Sequence, residues 1–106
     1  MPNINSDNKS VEYDLYKILN EDSATVIDVR TEVEFVSGNV KNSINIPVDK
    51  IVDSIDKIRK SERPIVLCCA SGGRSSVAVE YLNNLGIKNI YDGGSWKNVE
   101  MQLIGK

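Results

Sequence analysis

The sequence predicts a three-layer α/β fold in one domain, with a mainly parallel central sheet flanked by helices. Three observations carry that prediction. Short β-branched, apolar runs at 24–29 and 65–69 alternate with segments whose apolar residues recur at helical spacing. Glycines stand where helices should end, at Gly38 and Gly86. Asp28, Cys69 and Asp92 fall at or just past predicted strand ends, the edge where open parallel sheets gather their chemistry.

The elements follow in order. Residues 1–9 form a polar leader, and 10–106 read as the domain. Val11, Leu15, Ile18 and Leu19 mark a first helix, with Ser10 as its N-cap. After the loop 20–23, the run 24–29 is a buried strand ending near Asp28. Residues 31–36 form a short helix stopped at Ser37 and Gly38. The alternating 43–46 is a short strand stopped by Pro47. Ile51, Val52, Ile55 and Ile58 give 48–58 one helical face. Pro64 introduces the strand 65–69, and Val77, Ala78, Tyr81, Leu82 and Leu85 define a helix over 75–85. A last strand is expected at 87–91, then a turn at 92–95 and a terminal helix containing Trp96, Val99 and Leu103.

Composition narrows the function classes. The 106 residues suffice for one hydrophobic core, and 41 % hydrophobic with 26 % charged residues is ordinary for a globular chain. Thirteen basic against fifteen acidic residues leave a net charge of -2, which offers no polybasic surface for nucleic acid or membrane. The leader carries no apolar segment, which argues against a signal peptide and makes the cytoplasm the expected compartment. There is no histidine, so a Cys–His dyad, a histidine–zinc site and a histidine base are all unavailable. Cys68 and Cys69 are adjacent, so a disulfide between them would be strained, and their side chains should point to opposite sheet faces.

The segment 64–76 is the most informative. An apolar run leads into Cys69, then the small residues Ala70, Ser71, Gly72 and Gly73, then Arg74 and Ser75 at the start of a helix. Gly72 and Gly73 permit a turn in which successive N–H groups face one anion. The helix start adds its positive dipole end, and Arg74 a permanent charge. Together they favour a thiolate at Cys69, and such environments lower a cysteine pKa from about 8.5 to roughly 3.5–7.5. Counted from Cys69 the loop reads Cys-x4-Arg; counted from Cys68 it reads Cys-x5-Arg-Ser. The wider spacing is similar to the oxyanion loop of dual-specificity phosphatases and arsenate reductases, so the cysteine at the centre of the loop decides the substrate class.

The motifs at 69–75, 27–30 (Ile-Asp-Val-Arg), Glu34-Phe35, 44–47 (Ile-Asn-Ile-Pro) and 93–96 (Gly-Gly-Ser-Trp) occur in an order that resembles the rhodanese family of sulfurtransferases over nearly the whole chain. The chain departs from that pattern at Gly38-Asn-Val40 and Lys41-Asn-Ser43, both away from the cysteine loop. The resemblance implies a rhodanese-like domain in which Cys69 takes a sulfane sulfur from a small sulfur-containing anion such as thiosulfate or a polysulfide. The persulfide then passes it to cyanide, a thiol or a protein acceptor. It implies no metal and no organic cofactor.

In this reading the amides of Ala70, Ser71, Gly72, Gly73, Arg74 and Ser75 line the sulfur site, and Arg74 docks an anionic donor. Asp28 and Arg30 act as supports, with Arg30 expected to pair with Glu34 and Asp28 to accept loop N–H bonds. The small residues Ala70, Ser71 and Gly73 are expected to leave an open pocket mouth. Two other readings stand beside it: a phosphatase or arsenate reductase using Cys68, and a non-catalytic rhodanese-like binding module.

Overall fold

The computed structural model describes residues 13–21 and 23–103; the leader and the Ser10 cap with Val11 lie outside the described residues. Four parallel strands, β1 (Thr25–Asp28), β2 (Ile44–Asn45), β3 (Ile65–Cys69) and β4 (Ile90–Ser95), form a sheet in the order β2-β1-β3-β4. The helices are α1 (Leu15–Glu21), α2 (Glu32–Val36), α3 (Ile55–Lys60), α4 (Gly73–Asn84) and α5 (Trp96–Gln102). Every residue of β3 is buried, because this inner strand has both faces covered; that is why it reads as an unbroken apolar run.

The pleat divides the core in two. Ile27, Val29, Leu67 and Cys69 point to one face, where they pack with Ile58 of α3 and Ala78 and Leu82 of α4. Val26, Val66 and Cys68 point to the other, against Leu19 of α1 and Val99 and Trp96 of α5. The three-layer architecture expected from the sequence is therefore present, and the two cysteine side chains do diverge.

Three elements differ from the sequence expectation. Segment 48–58 is not one helix: two 3-10 turns, Val48–Lys50 and Val52–Ser54, precede α3. Its apolar residues include the i, i+3 pairs 48/51 and 55/58, a spacing that a tighter turn satisfies equally well. Neither turn has a side-chain cap, and Ser54 at φ -112, ψ 12 breaks the helical path before α3. The last strand runs from Ile90 to Ser95 rather than over 87–91, because Gly86 (φ 85) and Asn89 (φ 60) turn the chain left-handed before it. Gly93 belongs inside that strand for lack of space: a Cβ there would sit 2.7 Å from both Val66 Cγ1 and Val99 Cγ2. Finally, α4 starts at Gly73 instead of Ser75, with left-handed Gly72 as its N-cap.

Candidate active site

Strand β3 ends at Cys69 and α4 begins at Gly73, so only Ala70, Ser71 and Gly72 join them. A connection this short must reverse sharply. Gly72 absorbs the turn at φ 98, a left-handed angle that costs a side-chain-bearing residue about 1–2 kcal/mol. The reversal brings the Gly72 amide to 2.9 Å from Cys69 Sγ and the Ser75 amide to 3.4 Å. The thiol itself lies 3.5 Å from Ser75 Oγ.

Burial opposes charge on Cys69, but hydrogen bonds to the sulfur, those of the Ser75, Gly72 and Ser71 amides among them, outweigh it. The thiol is held below its ordinary pKa. The α4 N-terminus points its positive end the same way. An open mouth was expected; instead Cys69 is only 1 % exposed, while Ala70 and Ser71 on the rim are exposed. Loop-residue size governs the rim, whereas the inward-turned amides close over the sulfur.

Cys68 does not share this environment. Its side chain lies across the sheet among Leu19, Val26, Val40, Val66 and Val99. Burial, reinforced by the nearby Asp28 carboxylate, pushes its thiol up to about 12. The Cys-x5-Arg loop centred on Cys68, the basis of the phosphatase and arsenate reductase reading, therefore does not form. The strand runs through both cysteines, so only the second can face the loop.

Arg74 stands in the first turn of α4, where a cation opposes the helix dipole. Glu34 compensates it: Arg74 Nη1 lies 2.8 Å from Glu34 Oε1, and Nη2 lies 3.0 Å from Oε2. Glu34 is fixed by its own helix, since its Oε1 accepts from the Thr31 amide at 3.0 Å while Thr31 Oγ1 accepts from the Glu34 amide at 3.3 Å. This capping box aims the carboxylate at the loop. Arg74 beside it, aided by the Thr31 amide, brings the Glu34 pKa down to about 2.

The expected Arg30–Glu34 pair is thus replaced by Arg74–Glu34, and Arg30 pairs with Asp28, 2.7 Å away. Asp28 does accept one loop N–H, that of Arg30, at 3.0 Å. Arg30 Nη2 also donates to Gly38 O at 2.6 Å, and its guanidinium carbon lies 4.8 Å from the centre of the Trp96 ring. A Cβ on Gly38 would meet Trp96 Cη2 at 3.0 Å, so the indole needs the glycine beneath it. By strand alternation Asp28 shares the sheet face of Val26, opposite to Cys69. Asp28 and Arg30 are brought together with each other and with Trp96, not with the thiol.

A further partnership, like that of Arg74 with Glu34, lies beyond the sequence reading. Ser75 Oγ donates to Asp92 Oδ1 at 2.6 Å, and the same oxygen accepts from the Gly94 amide at 2.9 Å. The available signal was the position of Asp92 near a strand end, which does not say which way its side chain turns. Among the described residues, no group of three or more His, Cys, Asp or Glu side chains gathers to hold a metal ion, and no helix is long and apolar enough to cross a membrane.

The thiosulfate sulfurtransferase GlpE of Pseudomonas savastanoi pv. phaseolicola is 33 % identical over 78 residues, covering 72 % of this chain and 73 % of its own length. A tRNA uridine(34) hydroxylase of Hamiltonella defensa is 28 % identical over 109 residues, but this chain spans only 31 % of that protein. The crystal structure of a rhodanese-like domain protein from Staphylococcus aureus superposes with a TM-score of 0.67 at 32 % identity, covering 79 % of this chain and 80 % of the other. The model of the rhodanese-like domain matches residues 12–100, and the chain belongs to that family.

Proposed function

We propose that this chain is a sulfurtransferase that carries a sulfane sulfur as a persulfide on Cys69. The observation that carries the reading is the set of amides converging on one sulfur, with the Gly72 N–H at 2.9 Å. Such a cradle stabilises a thiolate and, after transfer, a terminal persulfide sulfur of the same charge. Relatives named as sulfurtransferases support the class.

The donor class is a small sulfur-containing anion such as thiosulfate or a polysulfide. The Cys69 thiolate attacks the outer sulfur of thiosulfate, the S–S bond breaks, and sulfite leaves with its electron pair. Cys69 then bears S–S⁻. In the second half-reaction a thiol, a protein thiol or cyanide attacks that outer sulfur. With cyanide the products are thiocyanate and the original thiolate. Both steps are displacements at sulfur, so the chemistry requires no electron carrier.

The test is intact mass after thiosulfate treatment and desalting, with peptide mapping. One added sulfur on Cys69, removed by cyanide with thiocyanate released, is the expected result. No added sulfur with any of several donors, with Cys69 slow to alkylate at neutral pH, would overturn the reading in favour of a binding module.

A further inference from the structure

The Ser75 hydroxyl has one proton and more than one claimant for it. Asp92 Oδ1 lies 2.6 Å away, Gly72 O 3.2 Å and Cys69 Sγ 3.5 Å. The shortest contact is to a carboxylate, and bonds to ionised acceptors are about twice as strong as neutral ones. Ser75 is fully buried, which leaves no room for solvent to supply another donor. With its proton directed to Asp92, the hydroxyl can offer the sulfur only lone pairs. It can accept from a thiol but gives nothing to a thiolate.

We propose that Asp92 is a positioning residue for Cys69: by holding the Ser75 proton, it turns Ser75 into a hydrogen-bond acceptor towards the sulfur and retains Cys69 as a thiol. The role deepens the sulfurtransferase reading, because it sets when the nucleophile becomes available. When Cys69–SH loses its proton to solvent, giving Cys69–S⁻ and H⁺, Ser75 has two options. It keeps its bond to Asp92 and presents an oxygen lone pair to the new negative charge, or it turns its proton to sulfur and deprives the Asp92 carboxylate of that donor. Either option opposes ionisation, while the Gly72 and Ser75 amides favour it. The balance benefits a transfer enzyme, since thiol nucleophilicity falls as pKa falls and is best matched near the ambient pH.

Other charged and titratable groups face this assembly. Arg74, neutralised by Glu34, approaches from α4 and α2. The Asp28–Arg30 pair and Cys68 stand on the other side of the sheet. Tyr13 is bonded to the Asp92 backbone, with the Tyr91 ring centre 5.0 Å from its own. None of them is substituted in the variants below.

The test is the pH dependence of Cys69 alkylation, read by peptide mapping, in Asp92→Asn and Asp92→Ala, each with and without Ser75→Ala. Asp92→Asn retains an acceptor oxygen for Gly94 without the charge, so it should fold even if Asp92→Ala does not. The expected result is a midpoint about one pH unit lower in Asp92→Ala, roughly a tenfold gain in thiolate on the acid side, with a smaller drop in Asp92→Asn. In the Ser75→Ala background both drops should nearly vanish. Drops of equal size with and without the hydroxyl would mean that the Asp92 charge acts through space, and unmoved or raised midpoints would mean that it does not act at all. Either result overturns the proposal. Alkylation needs no sulfur donor, so this outcome is independent of whether Cys69 loads sulfur.

Discussion

Cys68 and Cys69 are consecutive in the chain yet lie on opposite faces of the sheet, one sulfur packed among apolar side chains and the other beneath backbone amides. The pleat alone separates them. It gives two thiols of one protein opposed chemistry: that of Cys68 is pushed up to about 12, and that of Cys69 is held below its ordinary value.

Alkylation at pH 7–8 should therefore modify Cys69 in the native protein and reach Cys68 only on unfolding. Cys69→Ser should abolish sulfur loading. Cys68→Ala should leave loading intact and cost about 1 kcal/mol in urea unfolding, the scale of removing one buried methyl-sized group. Loading that survives Cys69→Ser would place the nucleophile elsewhere.

The Asp28–Arg30 pair should behave as a structural element. Asp28 is 0 % and Arg30 4 % exposed, so Arg30→Ala strands a buried carboxylate and should cost about 3–5 kcal/mol. Adding Asp28→Asn should recover part of that loss, because the uncompensated charge disappears. The alkylation midpoint of Cys69 should hardly move in either variant. A midpoint shift approaching one unit would instead tie the pair to the thiol.

Much of this was legible in the sequence, for reasons that differ between elements. The strand 65–69 is buried on both faces, and continuous apolarity marks such a strand without knowledge of its partners. The glycine loop was legible because few backbones need small residues there followed by an arginine. Gly93 was not: its place inside β4 depends on Val66, from a distant strand, and on Val99, which reaches it only because α5 folds back on the sheet. The partners of Arg30, Arg74 and Ser75 were hidden for a related reason. Local spacing suggested Arg30 with Glu34, four residues apart, but Asp28 is nearer to the guanidinium and buried with it. Glu34 then meets Arg74, forty positions away.

Glu34 makes a specific contribution to acid stability. Its carboxyl pKa is near 2 in the folded protein, through Arg74 first and the Thr31 amide second, against about 4.3 for an unperturbed glutamate. A depressed folded-state pKa gives stability that is complete above the unfolded value and drains as pH falls towards the folded one. The difference in Tm between the parent protein and Glu34→Gln should therefore be constant from pH 7 to about 5 and shrink between about 4.3 and 2. A gap that persists unchanged at pH 2.5 would show that the charge of Glu34 is not what stabilises.

Arg74 has two claims on it, and they can be separated kinetically. Its guanidinium already holds Glu34 through two bonds, so a dianionic donor must share or displace that carboxylate. The side chains of the pair are 37 % and 35 % exposed, so the contest takes place in partly screened surroundings and the energies are modest. If Arg74 docks the donor, Arg74→Ala should raise the KM for thiosulfate by about tenfold and change that for an uncharged donor far less. Glu34→Gln should do the reverse, lowering the thiosulfate KM by about threefold, because the fork is released to the substrate. If Arg74 only ties the loop to α2, both variants should impair both donors alike, since each breaks the same tie. Steady-state kinetics of the two variants with the two donors decide between docking and tethering, and the sign of the Glu34→Gln effect on thiosulfate is the most telling of the four values.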